Sequence, residues 1–580
     1  MQLGKKSGID PVVFGVSFGL VGLFSVLGAV FPQTVGTVAD AMLDWITGNL
    51  GWVFLLAATE FVVFALVLAF SRYGRIPLSR EGEPPEFSWV SWVAMMFSAG
   101  MGIGLMFFGI YEPASHYATP PPGSGVAPNS PEAATTAMGY TLFHWGLHPW
   151  AIYAVVALAL AYSTFRKGRG NLLSAPFQSL SRGDRDVAES GWGKVINIWA
   201  IVATKFGGAT SLGLGALQVA GGLMLFIGSP GPGRQEQTTN VAFVVIVVLV
   251  LFAILSAVSG VARGIKWLSN TNMVLAALLV LFVLVAGPTV FLFNMLPASA
   301  GNYISEFVAM SFRSPAFGGQ SWFNNWTIFY WAWWISWTPF VSTFIARISR
   351  GRTIREFVLG VLIVPTVISG IWFVVLGGAA IDLQRLGVDI AGAANEEVAF
   401  FTALQQYPGF VFTGGLVMFL TAIFWVSGAD ASALVLATLS SRGRTHPKRW
   451  LIALWAFMSA VVAAVLLLVG GLDALQTFTI LVASPFVVIV GLLCWALYAD
   501  LRRDPLRARR AGAVRDHVPL VPELTVVPEQ QDVQPQGGEP ESTETGQRTP
   551  LPVHTRRNEE DHGATAVDPE GARADERQEP

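Results

Sequence analysis

Charge is what this sequence lacks most. Of 580 residues, 13% are Asp, Glu, Lys or Arg, where soluble domains carry about 25%. Charge is scarcer still in the body of the chain, because the last 80 residues hold 16 of the 38 acids and 11 of the 36 bases. That same stretch has no aromatic residue. The formal charge of −2 offers no polyanion-binding signal, which excludes a nucleic-acid protein. The sole cysteine, Cys494, sits in an apolar run and rules out disulfides within the chain and any Cys-based zinc site. Enzyme signatures are missing too: there is no HExxH and no Walker loop. His144 and His148 are four apart without a third ligand nearby in sequence, so each reads as a structural histidine. A soluble globular enzyme is excluded.

What the chain does contain is apolar length. Hydrophobic residues make up 53%, and the mean hydropathy is +0.54. About 20 apolar residues cross a bilayer as a helix. Twelve such runs occur, near 11–32, 51–71, 88–111, 140–164, 194–225, 240–262, 270–296, 322–346, 355–381, 410–440, 449–470 and 475–499. The expected fold is therefore an all-α integral membrane protein with twelve transmembrane helices. The first run starts at residue 11, is full length and lacks a small-x-small cleavage pattern, so it reads as a span rather than a signal peptide.

Basic residues alternate with the loops. One set carries Arg72, Arg75 and Arg80; Arg166, Lys167, Arg169, Arg182, Arg185 and Lys194; Arg263 and Lys266; Arg347, Arg350, Arg352 and Arg355; and Arg442, Arg444, Lys448 and Arg449. The opposite loops contribute only Arg234, Arg313 and Arg385. This asymmetry places both termini in the cytoplasm of a cell whose plasma membrane the protein spans several times. After the last run, Arg502, Arg503, Arg507, Arg509, Arg510 and Arg515 lead into a Pro/Glu/Gln-rich tail. The 501–580 region reads as a stop-transfer cluster plus disordered tail, or as a regulatory arm on anionic lipids. Tyr303, Phe307, Met310 and Phe317 predict an interfacial amphipathic helix within 297–321.

The candidate chemistry lies inside the spans. The third run contains Phe97-Ser98-Ala99-Gly100-Met101-Gly102-Ile103-Gly104-Leu105. Glycine at three alternate positions, each about 1 kcal/mol worse than alanine in a helix, predicts a helix broken at mid-membrane beside a ligand; close helix packing is the alternative. The eighth run holds Trp331, Trp333, Trp334 and Trp337 ahead of Pro339 and Phe340, too deep for an interfacial belt. The fourth adds Trp145, Trp150 and Tyr153, with Pro149 needed to bring both indoles to one cavity. Several aromatic faces around a hollow hold a quaternary ammonium, which has no N–H to donate, through contacts of about 0.5–2 kcal/mol each; core packing or an interfacial belt is the alternative for these rings. Three ionisable groups lie within runs: Glu60, read as a structural partner; Asp430, in a polar break of the tenth run, as a cap or ion-site support; and Lys205, as a fixed ammonium replacing a mobile cation or as a snorkelling or paired group.

Together these motifs resemble the betaine/carnitine/choline transporter family, most specifically in Trp331 to Phe340, in Ile348-Ser349-Arg350-Gly351-Arg352-Thr353-Ile354-Arg355-Glu356-Phe357, and in Ala99 to Phe107. The layout of residues 1–500 is most similar to glycine betaine carriers of Gram-positive bacteria. The resemblance implies two inverted five-helix repeats of the amino-acid/sodium symporter type with broken first helices, and a homotrimer. It implies a division into 1–87 with two peripheral helices, 88–296 as first repeat, 297–321 as the interfacial helix, 322–500 as second repeat, and 501–580 as basic cluster and tail.

Carried over by residue, the resemblance makes Trp145, Trp150, Tyr153 and Trp334 the trimethylammonium box. Trp337 becomes a cytoplasmic-side aromatic of the pathway, and Gly100, Gly102 and Gly104 the flexible stretch. It implies one sodium site at Thr204 and Phe340, with Gly208 where a second hydroxyl is usual. A second site lies at Ser98, Met101, Phe424 and Ser427, with Gly428 in place of a hydroxyl. Sodium prefers oxygen ligands, so each loss weakens a site, and Lys205 is a candidate substitute. No cofactor is implied. The expected activity is sodium-linked import of glycine betaine or a similar zwitterionic compatible solute by alternating access. The alternatives are a sodium-independent carnitine or choline exchanger, a proton-coupled carrier, and a non-transporting sensor.

Overall fold

The computed structural model describes residues 8–100, 102–181, 186–228, 234–259, 262–392 and 396–504; the side chains of 94, 97–100, 234–235, 257–259 and 262–270 fall outside that description. Among the described residues there is no β-strand, only a lone bridge between Pro77 and Thr353. The helices are α1 (Pro11–Val30), α2 (Pro32–Phe70), α3 (Trp89–Gly100), α4 (Ile103–Ala118), α5 (Pro131–Trp145), α6 (Leu147–Ala161), α7 (Gly191–Phe226), α8 (Arg234–Ser259), α9 (Ala262–Ala286), α10 (Thr289–Phe312), α11 (Gln320–Phe323), α12 (Phe329–Ile348), α13 (Ile354–Arg385), α14 (Ala399–Leu404), α15 (Phe410–Ser440) and α16 (Arg449–Arg502).

Among the described residues, eight helical segments are long and apolar enough to cross a membrane, or nine if the bent pair α9–α10 is one span. This falls short of the twelve expected, for local reasons. Two predicted spans are fused in α16, where only Gly470 and Gly471 leave helical geometry. The predicted run 88–111 is split between α3 and α4, and α12 is rich in tryptophan rather than aliphatic residues. The seventh run ends earlier than expected. Gly287 and Pro288 break it, and Pro288 lacks the N–H to continue a helix. The next helix therefore starts at Thr289, not 297, and leaves α9 at 112°. Tyr303 and Met310 of α10 are buried and Phe307 is half-buried, whereas Phe317 lies beyond that helix, fully exposed.

The cores of these helices are held by packing and not by pattern alone. The helix α7 runs along α16, α15 and α8, while α12 is wedged among α6, α16 and α7. On the basic side, Arg166 pairs with Asp504 at 2.7 Å and Arg169 with Asp500 at 2.5 Å, which ties the end of α16 to the loop after α6. Two expected breaks are missing. The helix α15 passes without interruption through Ser427-Gly428-Ala429-Asp430. Residues 320–348 run continuously through a π-helical turn, Asn324–Ile328, so the eighth span lacks the break that the third one has.

Candidate functional site

The third span does break where its glycines predict. The helix α3 ends at Gly100 and α4 starts at Ile103. Gly102 caps α4 in an extended conformation, φ −159°. Gly104 then allows α4 to approach the aromatic side chains closely: a Cβ there would lie 2.7 Å from the Trp145 ring and 2.8 Å from that of Trp333.

The fourth span is also two helices. It is Gly146, not Pro149, that separates α5 from α6, with φ −100° and ψ −122°. A Cβ at Gly146 would strike the Leu142 carbonyl at 2.4 Å. Pro149 sits in the first turn of α6, where no intrahelical N–H is lost. The break re-aims Trp145 relative to Trp150. Trp145 meets Trp334 with centroids 4.9 Å apart, Tyr153 meets Trp334 at 6.3 Å, and Trp150 joins through Tyr153 at 5.8 Å. All four are 5% exposed or less. Among the described residues the buried Tyr153 hydroxyl has no hydrogen-bond partner, so an acceptor brought by a ligand would complete it.

In α12 the tryptophans are fixed by their indole N–H groups. Trp334 donates to the His144 carbonyl at 3.0 Å, Trp333 to Ser211 Oγ at 3.2 Å and Trp337 to the Gly207 carbonyl at 2.8 Å. Pro339 frees the Ile335 carbonyl from its helical partner, and the Thr338 hydroxyl takes that carbonyl at 2.7 Å. Trp337 thus faces α7 with Phe340 beside it at 5.7 Å, away from the Trp145–Trp334 pair.

The candidate ion-site residues are less complete. Thr204 Oγ1 is buried and has no hydrogen-bond partner among the described residues, which suits an oxygen ligand for a cation. One turn on, Gly208 has open space where a side chain would be. In α15, Ser427 donates to the Phe424 carbonyl at 3.2 Å, and Gly428 also faces open space. The Ser98 side chain and all of Met101 lie outside the described residues. The Lys205 ammonium points to α16, donating to the Trp455 carbonyl at 2.7 Å and to Ser459 Oγ at 2.6 Å, over the Trp455 ring. Asp430 accepts from Ser256 of α8 at 3.2 Å and caps no broken helix. Glu60 is exposed, and no ion pair holds it among the described residues, so its expected structural partner is not found.

One group escaped the sequence reading. Glu112, at 0% exposure, lies just past the predicted end of the third run. It accepts from His144 Nδ1 at 2.7 Å, from Trp145 Nε1 at 2.7 Å and from the Tyr330 hydroxyl at 2.5 Å. The available signal was its i, i+4 spacing to His116, whose Nε2 is 3.5 Å from Glu112 Oε1. The reading of His144 as a structural histidine fits its two hydrogen bonds, the second to Thr327 Oγ1 at 3.0 Å.

Trp145, Trp150, Tyr153 and Trp334 thus form one buried aromatic cluster beside a broken span. Comparison with known proteins supplies the family. The model of a family described as "BCCT, betaine/carnitine/choline family transporter" matches residues 12–506. The glycine betaine transporter OpuD of Bacillus subtilis is 43% identical over 86% of this chain and 96% of its own. The betaine/ectoine transporter LcoP of Corynebacterium glutamicum is 42% identical over 88% and 80%. An ectoine/hydroxyectoine transporter of Virgibacillus pantothenticus is 41% identical over 87% and 99%. On this agreement along nearly the whole apolar body, the chain belongs to the betaine/carnitine/choline transporter family.

Proposed function

We propose that the protein imports glycine betaine or a closely related compatible solute across the plasma membrane as an osmoprotectant. The observation that carries the reading is the gathering of Trp145, Trp150, Tyr153 and Trp334 into one buried cluster, with Trp145 against Gly104. Aromatic faces hold the trimethylammonium head by cation–π attraction. The solute's carboxylate is met by the Tyr153 hydroxyl and by backbone N–H groups freed at the α3–α4 break. The names of the relatives, which are glycine betaine and ectoine carriers, support this choice of substrate.

The same reading assigns residues 88–296 and 322–500 to two inverted repeats that rock around the cluster, with 1–87 as two peripheral helices and 297–321 as an amphipathic stretch lying at the membrane surface. Twelve crossings with cytoplasmic termini follow from the distribution of Lys and Arg. A homotrimer and anionic-lipid contact by 501–580 belong to the same proposal. Sodium is the coupling ion, held at Thr204 and Phe340 and at Phe424 and Ser427 with Ser98 and Met101. Sodium-independent exchange is the second reading, favoured by the glycines at 208 and 428.

Uptake of labelled glycine betaine into cells lacking their own carriers tests the proposal. Trp334→Ala and Trp150→Ala should each abolish uptake at micromolar substrate while the protein still reaches the membrane. Unchanged uptake in both variants rejects the box. Uptake that is flat across a sodium titration and stimulated by preloaded substrate selects the exchanger.

A further inference from the structure

The aromatic cluster hangs from a buried charge. Glu112 Oε2 accepts from the indole N–H of Trp145 and from Tyr330, while Oε1 accepts from His144 Nδ1. The backbone carbonyl of that same histidine accepts from Trp334. Two indoles assigned to the ammonium head are thus oriented by one carboxylate and the residue bonded to it. A carboxylate that accepts an indole N–H also pushes electron density into the ring and makes its face a better partner for a cation.

The network admits two protonation states without leaving a polar atom of His144 unsatisfied. Nδ1–H is held by Glu112, and Nε2 faces the Thr327 hydroxyl, which donates to a neutral imidazole and accepts from a protonated one. The other titratable or charged groups around it are few. His116 lies on α4 with Nε2 3.5 Å from Glu112 Oε1, and among the described residues neither of its ring nitrogens has a hydrogen-bond partner. On α5, Tyr140 is 6.0 Å from the His144 ring, with Arg313, just past α10, on its hydroxyl at 2.6 Å; His148 lies one turn beyond on α6. On α12 the group is Tyr330, and from the loop between α13 and α14 Glu396 is reached through Tyr111. From α7 and α13, uncharged donors reach α4: Gln218 on the Met106 carbonyl and Trp372 on the Leu105 carbonyl.

We propose that Glu112 is a specificity-determining residue of the substrate site: its buried negative charge is neutralised either by a proton on the His144–His116 pair or by the quaternary ammonium beyond Trp145, so that proton and substrate compete. When the ammonium binds, the imidazole proton leaves to bulk water. The inference rests on the box reading above, and it adds that charge, not aromatic shape alone, selects a cationic head.

The test is proteoliposome uptake of labelled glycine betaine at pH values across the imidazole range, about 5.5 to 8. Competition is measured with 3,3-dimethylbutanoate, which has the same shape and carboxylate but carbon in place of nitrogen. In the wild-type chain, KM for betaine should rise severalfold as pH falls, with kcat changing less. Glu112→Gln keeps an acceptor for the ring N–H groups but loses the charge. It should raise KM for betaine about tenfold at the upper pH, narrow the preference for betaine over its uncharged-head analogue, and flatten the pH profile. His144→Gln keeps a donor to Glu112 and should flatten the profile while preserving that preference. If Glu112→Gln does not fold, the wild-type profile and His144→Gln still decide. A wild-type KM that does not change with pH, or an unchanged betaine preference in Glu112→Gln, overturns the inference. A wild-type chain that takes up no betaine overturns the box itself instead.

Discussion

The region around Trp145, Trp150, Tyr153 and Trp334 and the region around Thr204 and Ser427 differ in how completely they are built. In the first, the indole N–H groups of Trp145 and Trp334 are tied to fixed acceptors, and the rings contact one another at 4.9–6.3 Å. In the second, Thr204 Oγ1 has no hydrogen-bond partner among the described residues, and positions 208 and 428 open onto empty space. A site that binds by preorganised ring faces gains from rigidity, since little ordering is left to be done on binding. A cation site short of oxygen ligands holds its ion loosely. If the proposed box and ion sites are correct, the carrier should grip its solute more firmly than its ion.

The sharpest way to break this contrast is to crowd the rigid side. Gly104→Ala places a methyl group 2.7–2.8 Å from the Trp145 and Trp333 rings. Overpacking of this kind costs about 1–3 kcal/mol, so betaine KM should rise about tenfold or more; an unchanged KM in transport assays would show that the cluster is loose. A smaller effect is expected from completing the other side. Gly208→Ser and Gly428→Ser each add a hydroxyl into open space and remove a helical glycine, which stabilises by about 0.5 kcal/mol. Each should lower the sodium concentration for half-maximal uptake, by about threefold on the scale of a single oxygen ligand gained. No sodium response in either would favour exchange.

The smallest effect concerns the loop between α13 and α14 and sets the background for any pH measurement on the box. Burial pushes the Glu396 carboxyl up to about 7, with Glu397 and Asp473 adding to it and the Tyr111 hydrogen bond opposing it. Its protonated form is the one that fits. The stabilisation is full below the ordinary carboxylate range and is lost as pH rises through about 7. Thermal unfolding of the purified protein should therefore occur at lower temperature at pH 8 than at pH 5, and Glu396→Gln should reduce that difference.

Much of the site was legible because its signals are local. Glycine at 100, 102 and 104 announced a broken helix, and four tryptophans within seven residues stood too deep to be a belt. Glu112 was not legible, because a lone carboxylate at the end of an apolar run reads as a loop residue until α5 and α12 close around it. For Asp430 the error ran the other way. Small polar neighbours looked like a break, but the packing of α15 against α7, α16 and α8 keeps that helix whole. Proline's missing N–H points to a break at 149, yet only the approach of the Leu142 carbonyl and Tyr303 shows why glycine stands at 146.

By itself the sequence determined that this chain lives in a bilayer, where its apolar runs lie, which loops are basic and which residues bear aromatic or cationic character, because hydropathy and charge are properties of residues taken one at a time. Tertiary structure alone decided that Trp145 meets Trp334, that Lys205 turns toward Trp455 rather than toward Thr204, and that Glu112 is buried among two imidazoles, an indole and a phenol. Direction and burial depend on neighbours distant in the chain, and a charge inside a membrane protein acquires its role from the groups folded around it.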